Sequence, residues 1–166
     1  DILVNTEKKY GPEDAIRYQK SKNEIESKTY THLREDSESF SCVLRNLKEQ
    51  GNHIAVIGMT SYPWLITYFG TVNSGSVIVP LDVNLPAEDV CDLIDRSDSS
   101  ILVYDEVRKD VAAMAKERCP QLKFLISMQQ AEHDDHAFSF WKLLEEHGGS
   151  FDYMPEPDQL CTIMFT

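Results

Sequence analysis

The most regular pattern in this chain is a series of short apolar runs separated by amphipathic stretches. Ile54-Ala55-Val56-Ile57 is an unbroken apolar run stopped by Gly58, which predicts a strand buried on both faces. Thr60 or Ser61 is placed to cap a helix, with Pro63 in its first turn where a missing N–H costs little. Trp64, Leu65, Ile66, Tyr68, Phe69 and Val72 leave little polar face, so this helix should be mostly buried, and Gly75 should take a left-handed conformation after its last turn. Val77-Ile78-Val79 predicts a second strand, closed by Pro80 because proline cannot extend a central ladder. Strand, helix, strand in this order is a parallel, right-handed βαβ unit.

The pattern continues on both sides. Upstream, Ala15 to Tyr18 and Ile25 to Tyr30 are extended candidates around the polar tetrad Lys20-Ser21-Lys22-Asn23, a surface hairpin. Thr31 opens a helix whose apolar face is Leu33, Phe40, Val43, Leu44 and Leu47, with Lys48 in its last turn and Gly51 as its stop. Downstream, Pro86 at the first helical position precedes a helix with Val90, Leu93 and Ile94 inward, then a strand at Ile101 to Tyr104. Asp105 caps a helix with a stripe of Val107, Val111, Met114 and Ala115, and Leu122 to Ile126 is a fourth strand. Gln129 to His136 reads as a surface loop, and Phe138 to His147 as a short helix with Trp141 and Leu144 inward. Leu160 to Phe165 is a final strand, apolar enough to be buried. Successive βα units predict an α/β fold with a mostly parallel, doubly wound sheet.

Composition narrows the function. The chain has 166 residues, 42% apolar, enough for one core. A net charge of −12 without a basic cluster argues against a nucleic-acid partner. No apolar run reaches membrane-spanning length and no basic-then-apolar leader opens the chain, so a cytoplasmic protein is expected. Cys42, Cys91, Cys119 and Cys161 form no C-x-x-C pair and read as reduced, mostly buried thiols. Glu132-His133-Asp134-Asp135-His136 offers metal-ligand residue types but no helical frame or further ligand, and reads as an acidic surface loop. Glycine-rich phosphate motifs and a nucleophile elbow are absent from the sequence. The residues alone support a soluble α/β domain. The start at Asp1 and the end inside an apolar run suggest a piece of a longer protein.

Three stretches go further. Thr29-Tyr30-Thr31-His32-Leu33 resembles the T-Y-x-E-L motif of acyl-adenylate-forming (AMP-forming) enzymes, with His32 where glutamate is usual. Asn73 to Asp82, with Gly75 and Val79-Pro80-Leu81-Asp82, resembles their x-x-G-x-x-x-V-P-[IL]-[DN] block. Asp158 to Thr166 resembles the strand that delivers their phosphate loop, [YF]-T-S-G-T-T-G-x-P-K-G. The wording from Tyr62 to Pro86 is most similar to bacterial long-chain fatty-acid–CoA ligases. The resemblance implies that residues 1–166 are the N-terminal part of the large adenylate-forming domain. It implies a parent enzyme that activates a fatty acid with ATP and Mg²⁺ to acyl-AMP and passes the acyl group to coenzyme A. An amino-acid adenylation domain, a luciferase-like oxygenase and a non-catalytic doubly wound binding module are the alternatives. Of the implied machinery only Thr166, opening the phosphate loop, would touch nucleotide. No catalytic and no metal-ligating residue is placed in this stretch, which alone should be inactive.

Overall fold

The computed structural model describes residues 2–21 and 24–166. A helix α1 (Ile2–Tyr10), not expected from the sequence, precedes a hairpin of β1 (Asp14–Ser21) and β2 (Glu24–Thr29), paired antiparallel as expected. The turn expected at Lys22 and Asn23 lies outside the described residues. The main body follows as α2 (Tyr30–Asn46), β3 (His53–Ile57), α3 (Tyr62–Asn73), β4 (Val77–Leu81), α4 (Ala87–Arg96), β5 (Ser99–Tyr104), a 3-10 turn (Glu106–Arg108), α5 (Lys109–Arg118), β6 (Phe124–Ser127), β7 (Phe138–Ser139) and α6 (Phe140–His147).

The five strands β3 to β7 make one parallel sheet in the order β4-β3-β5-β6-β7. Strand side chains alternate, and each face has its own core. Ile54, Val56, Ile78, Ile101, Val103 and Ile126 pack under α2, α3 and α6, together with Phe40, Leu44, Ile66 and Phe140. Ala55, Ile57, Val79, Leu102 and Tyr104 pack under α4 and α5 with Val90, Ile94, Val111 and Ala115. The β3–β4 connection moves one way along the sheet over the first face. The β4–β5 and β5–β6 connections move back over the second, which keeps a single handedness. The expected doubly wound parallel sheet is therefore the observed one.

Element ends follow local hydrogen bonding, and several differ from the sequence reading. The α2 start is a capping box: Thr29 Oγ1 accepts from the His32 N–H at 3.2 Å, and His32 Nδ1 accepts from the Thr29 N–H at 3.4 Å. Its end comes at Lys48, φ +60°, before Gly51. Lys48 N–H donates to Arg45 O and Glu49 N–H to Leu44 O, which closes the helix with a lysine where glycine is usual. The α3 end does use Gly75, φ +76°, with the same pair of bonds to Val72 O and Thr71 O. At the α3 start, neither Thr60 nor Ser61 acts as expected: Ser61 is the N-cap but accepts no cap bond, and its hydroxyl lies 3.9 Å from Met128 Sδ. Pro86 sits one place before its helix, as N-cap.

Two side chains face the other way from the reading, and one strand runs on past its expected end. Val107 is 61% exposed, because Asp105 caps a 3-10 turn rather than α5 and so turns Val107 outward. Trp141 is 42% exposed, because Phe138 and Ser139 pair with β6 and α6 begins only at Phe140, which puts Phe140 and Leu143 inside. Pro80 does not close β4 but continues it, opposite Val56 of β3. Val77 N–H donates to β3, at Asn52 O, whereas Ile78 N–H points the other way, to Cys161 O. Pro80, two residues after Ile78, turns its missing N–H to that outer side, so the β3–β4 ladder loses nothing.

Two tests follow from these ends. Thr29→Ala should lower stability in urea by about 1 kcal/mol, whereas His32→Glu, which restores the usual partner of a capping box, should stay within about 0.5 kcal/mol of the parent. Gly58, φ +150°, lies so close to Asp105 that an added Cβ would sit 2.3 Å from the Asp105 Cβ. Gly58→Ala should therefore cost about 3 kcal/mol, against less than about 0.5 kcal/mol for Gly149→Ala, where an added Cβ meets nothing within 4 Å.

Candidate functional site

Open α/β sheets bind ligands beyond the carboxyl ends of their strands, at the point where strand order reverses. Here the order reverses between β3 and β5, at Gly58 and Asp105. That crevice is filled by protein. The Asp105 N–H donates to Ile57 O at 3.0 Å, its side chain packs on Gly58, and its Oδ1 accepts from the Val107 N–H at 3.1 Å. Arg108, nearly buried, ties the neighbouring loops together: Nη1 donates to Val83 O at 2.7 Å, while Nε and Nη2 hold both oxygens of Asp110 at 3.0 and 3.2 Å. The same guanidinium holds the Asp110 carboxyl below the usual carboxylate range. Gln129 Oε1 accepts from the Glu106 N–H at 2.8 Å and joins the loop after β6 to the set. Sequence reasoning gave Asp105 a capping role but missed this lock, for which the Tyr104-Asp105-x-x-Arg108 spacing is the only sequence signal.

Elsewhere on this edge a cavity of about 150 Å³ lies by Tyr104, Lys109 and Gln130, at the carboxyl end of β5, and the segment ending at Thr166 runs along the outer side of β4. It is not the buried strand expected from Leu160 to Phe165. It makes one parallel bridge, Ile78 with Thr162, through Ile78 N–H to Cys161 O at 2.9 Å and Ile163 N–H to Ile78 O at 3.0 Å. Leu160 is 57% and Met164 73% exposed, and Cys161 is exposed as well. The ladder cannot continue in register because the next donor on that edge would be Pro80. Side chains still alternate: Thr162 Oγ1 lies 3.4 Å from the Tyr68 hydroxyl on α3, while Ile163 and Phe165 pack on the second core, with Arg96 over the Phe165 ring. Upstream the segment is held at the Gly75 turn, where Gln159 Nε2 donates to Gly75 O at 2.6 Å.

Register fixes where this segment leads. Thr162 is level with Ile78, so Thr166, four residues on, is level with Asp82, just past the carboxyl end of β4. Thr166 is exposed, and the N–H groups of Phe165 and Thr166 make no hydrogen bond among the described residues. Two free backbone donors and a hydroxyl suit a phosphate oxygen. They are too few to enclose a nucleotide.

The other sequence candidates do not join this edge. His133 is held in the loop before α6, its Nδ1 accepting from the Ser139 N–H at 3.0 Å and its Nε2 3.1 Å from Glu146, whose carboxyl it holds low. Asp134 Oδ1 accepts from the N–H groups of His136 and Ala137 at 2.7 and 2.8 Å, closing the turn. Among the described residues, no three His, Cys, Asp or Glu side chains come together as a metal cluster. Cys42, Cys91 and Cys119 are buried free thiols, and burial pushes Cys119 up to about 11. His53 Nδ1 lies 2.6 Å from Ser97 O at the opposite, amino edge. There, with Asn52, Ser100 and Lys123, it lines a cavity of about 400 Å³. Beside that cavity the buried Glu49 takes hydrogen bonds from Lys123 Nζ at 2.8 Å and Asn52 Nδ2 at 2.6 Å. No helix among the described residues is long and apolar enough to cross a membrane.

Comparison with known proteins agrees with the fold. Over 98% of its length the chain superposes on an anthranilate CoA ligase, AuaEII, solved with anthranoyl-AMP, with a TM-score of 0.86 at 13% identity. Over 99% it superposes on a Mycobacterium tuberculosis fatty acyl CoA synthetase, with a TM-score of 0.81 at 16% identity. It covers 30% and 32% of those two chains. In sequence, 82 residues (49% of this chain) are 28% identical to a D-alanine--D-alanyl carrier protein ligase of Streptococcus equi subsp. equi (strain 4047), and the match spans 16% of that protein. A family model described as AMP-binding enzyme matches residues 5–166, nearly the whole chain, and on that match the chain belongs to the AMP-binding enzyme family.

Proposed function

We propose that residues 1–166 are the N-terminal portion of the large domain of an AMP-forming acid–thiol ligase, and that Thr166 opens its phosphate loop. The observation that carries this reading is the register of the terminal segment, which runs Thr166 level with Asp82 at the carboxyl edge of the sheet, its N–H unpaired among the described residues. In the first step a substrate carboxylate oxygen attacks the α-phosphorus of ATP. The bond from that phosphorus to the bridging oxygen breaks, and pyrophosphate leaves with the electron pair. In the second step a thiol attacks the acyl carbonyl, AMP leaves, and the thiol proton passes to solvent or to the leaving phosphate. Negative charge grows on phosphate oxygens in the first step, so oriented N–H donors near them lower its barrier. Thr166 and the Phe165 N–H would contribute to that set. Mg²⁺, when bound with the nucleotide, would neutralise part of the same charge; among the described residues no group of three or more His, Cys, Asp or Glu comes together, so phosphates and at most one or two carboxylates would hold it.

For the substrate, we favour a long-chain fatty acid with coenzyme A as acceptor. The support is the wording from Tyr62 to Pro86 and the likeness to a fatty acyl CoA synthetase fold. The sequence match to a D-alanine carrier protein ligase favours a second reading, an amino acid passed to a carrier-protein thiol.

Pyrophosphate release by the full-length protein, with ATP and in turn a long-chain fatty acid, an aryl acid and D-alanine, separates these readings. The expected result is release with the fatty acid, completed by thioester formation on coenzyme A. Thr166→Ala should raise the KM for ATP roughly fivefold, the worth of one ordinary hydrogen bond. The 166-residue chain alone should release none. A full-length protein that releases no pyrophosphate with any carboxylic acid would overturn the proposal.

A further inference from the structure

We propose that Pro80 is a positioning residue: by withholding one backbone N–H on the outer edge of β4, it keeps the terminal segment to a single rung and leaves the Phe165 and Thr166 amides free for a polyphosphate. The inference rests on the nucleotide reading above for its ligand, but its geometry stands alone. In a parallel pair, one residue bonds to both neighbours of its partner. Ile78 does so here: its N–H donates to Cys161 O and its carbonyl accepts from the Ile163 N–H. The next rung would join Pro80 to Met164 in the same way. It needs a Pro80 N–H for Ile163 O, and a Phe165 N–H for Pro80 O. Proline has no N–H, and its ring occupies the space where the donor would lie. The first bond cannot form, and the second is not made among the described residues.

Any other residue at position 80 would keep the β3 side of β4 intact, because the N–H groups that face β3 belong to Val77 and, by alternation, to Val79 and Leu81. The missing donor thus alters only the outer edge. Its effect falls on the residues that lead to Thr166. A zipped edge would fix the Phe165 N–H on the sheet and draw the following backbone along the β4 direction. With the rung absent, Met164 is exposed and, among the described residues, the amides beyond Ile163 have no sheet partner. Amides in that state can turn together toward phosphate oxygens.

Amide hydrogen exchange on the full-length protein, resolved by residue, reads this directly. In the parent, the Phe165 amide should exchange at least about tenfold faster than the Ile163 amide, which is in the bridge. In Pro80→Ala or Pro80→Val the Phe165 amide should slow by about tenfold as the new rung forms, the opposite of what simple destabilisation would do. The KM for ATP should rise by about the same factor while the KM for the carboxylate stays within about twofold. Equal protection of Phe165 and Ile163 in the parent, or Phe165 exchange unchanged or faster in both variants, would overturn the proposal. Because exchange needs no turnover, it tests the role of Pro80 even if the full-length protein proves to activate no acid. Slowed Phe165 exchange without a change in the KM for ATP would overturn the functional half alone.

Discussion

The rest of the fold depends on the hydrogen-bonding demand of β3. Ile54, Ala55, Val56 and Ile57 have no exposed surface, so every N–H and C=O in this strand must find a partner inside the protein. Strands on both sides, β4 and β5, meet that demand, and helices on both faces cover the side chains. Once β3 is central, right-handed connections put α3 on one face and α4 and α5 on the other, and the chain must reverse its direction of travel at β3. The carboxyl edge inherits that reversal. Asp105, Gly58 and Arg108 close it at its middle, which leaves the free edge of β4 as the place where further chain can lie.

That edge shows how a backbone defect on one side of a strand can be harmless on the other. A strand ladder alternates its donors, so proline is tolerated wherever its missing N–H faces outward. At Pro80 the outward side is occupied by the segment leading to Thr166, which is held at Ile78 and released two residues later. The segment is pinned upstream by Gln159 on Gly75 and laterally by Thr162 against Tyr68. It is thus held firmly as far as Ile163 and makes no further rung beyond it among the described residues, the arrangement on which the proposed phosphate-binding role rests.

The sequence made the sheet legible because its strands are short, β-branched and punctuated. Ile54 to Ile57, Val77 to Val79 and Ile101 to Tyr104 all stand where their patterns put them. The errors share a cause: a residue's identity was read without its direction. Pro80 reads as the end of a strand, but which edge its nitrogen faces decides whether the strand continues. Trp141 and Val107 were assigned inward from spacing, but a two-residue strand and a 3-10 turn shifted the phase. Lys48 shows that a helix can close on a non-glycine residue in left-handed conformation when the capping bonds suffice. The terminal segment reads as buried from its apolar composition, but burial depends on neighbours, and among the described residues Leu160 and Met164 have too few. For the site, the sequence offers only Thr166, through motif resemblance, and its role is the one proposed above. The Gly58–Asp105 closure was not legible, since the contact is between residues nearly fifty positions apart with no shared pattern.

The central claim is that nucleotide phosphates meet this domain at the carboxyl edge of β4 and not at the cavity on the amino edge. Photolabelling of the full-length protein with an ATP analogue carrying an aryl azide on its γ-phosphate, followed by peptide mapping, tests it most directly. The account predicts ATP-competable label on the segment that contains Met164, Phe165 and Thr166 or on the turn after Leu81. Competable label concentrated instead at Asn52, His53, Ser100 or Lys123 would contradict it.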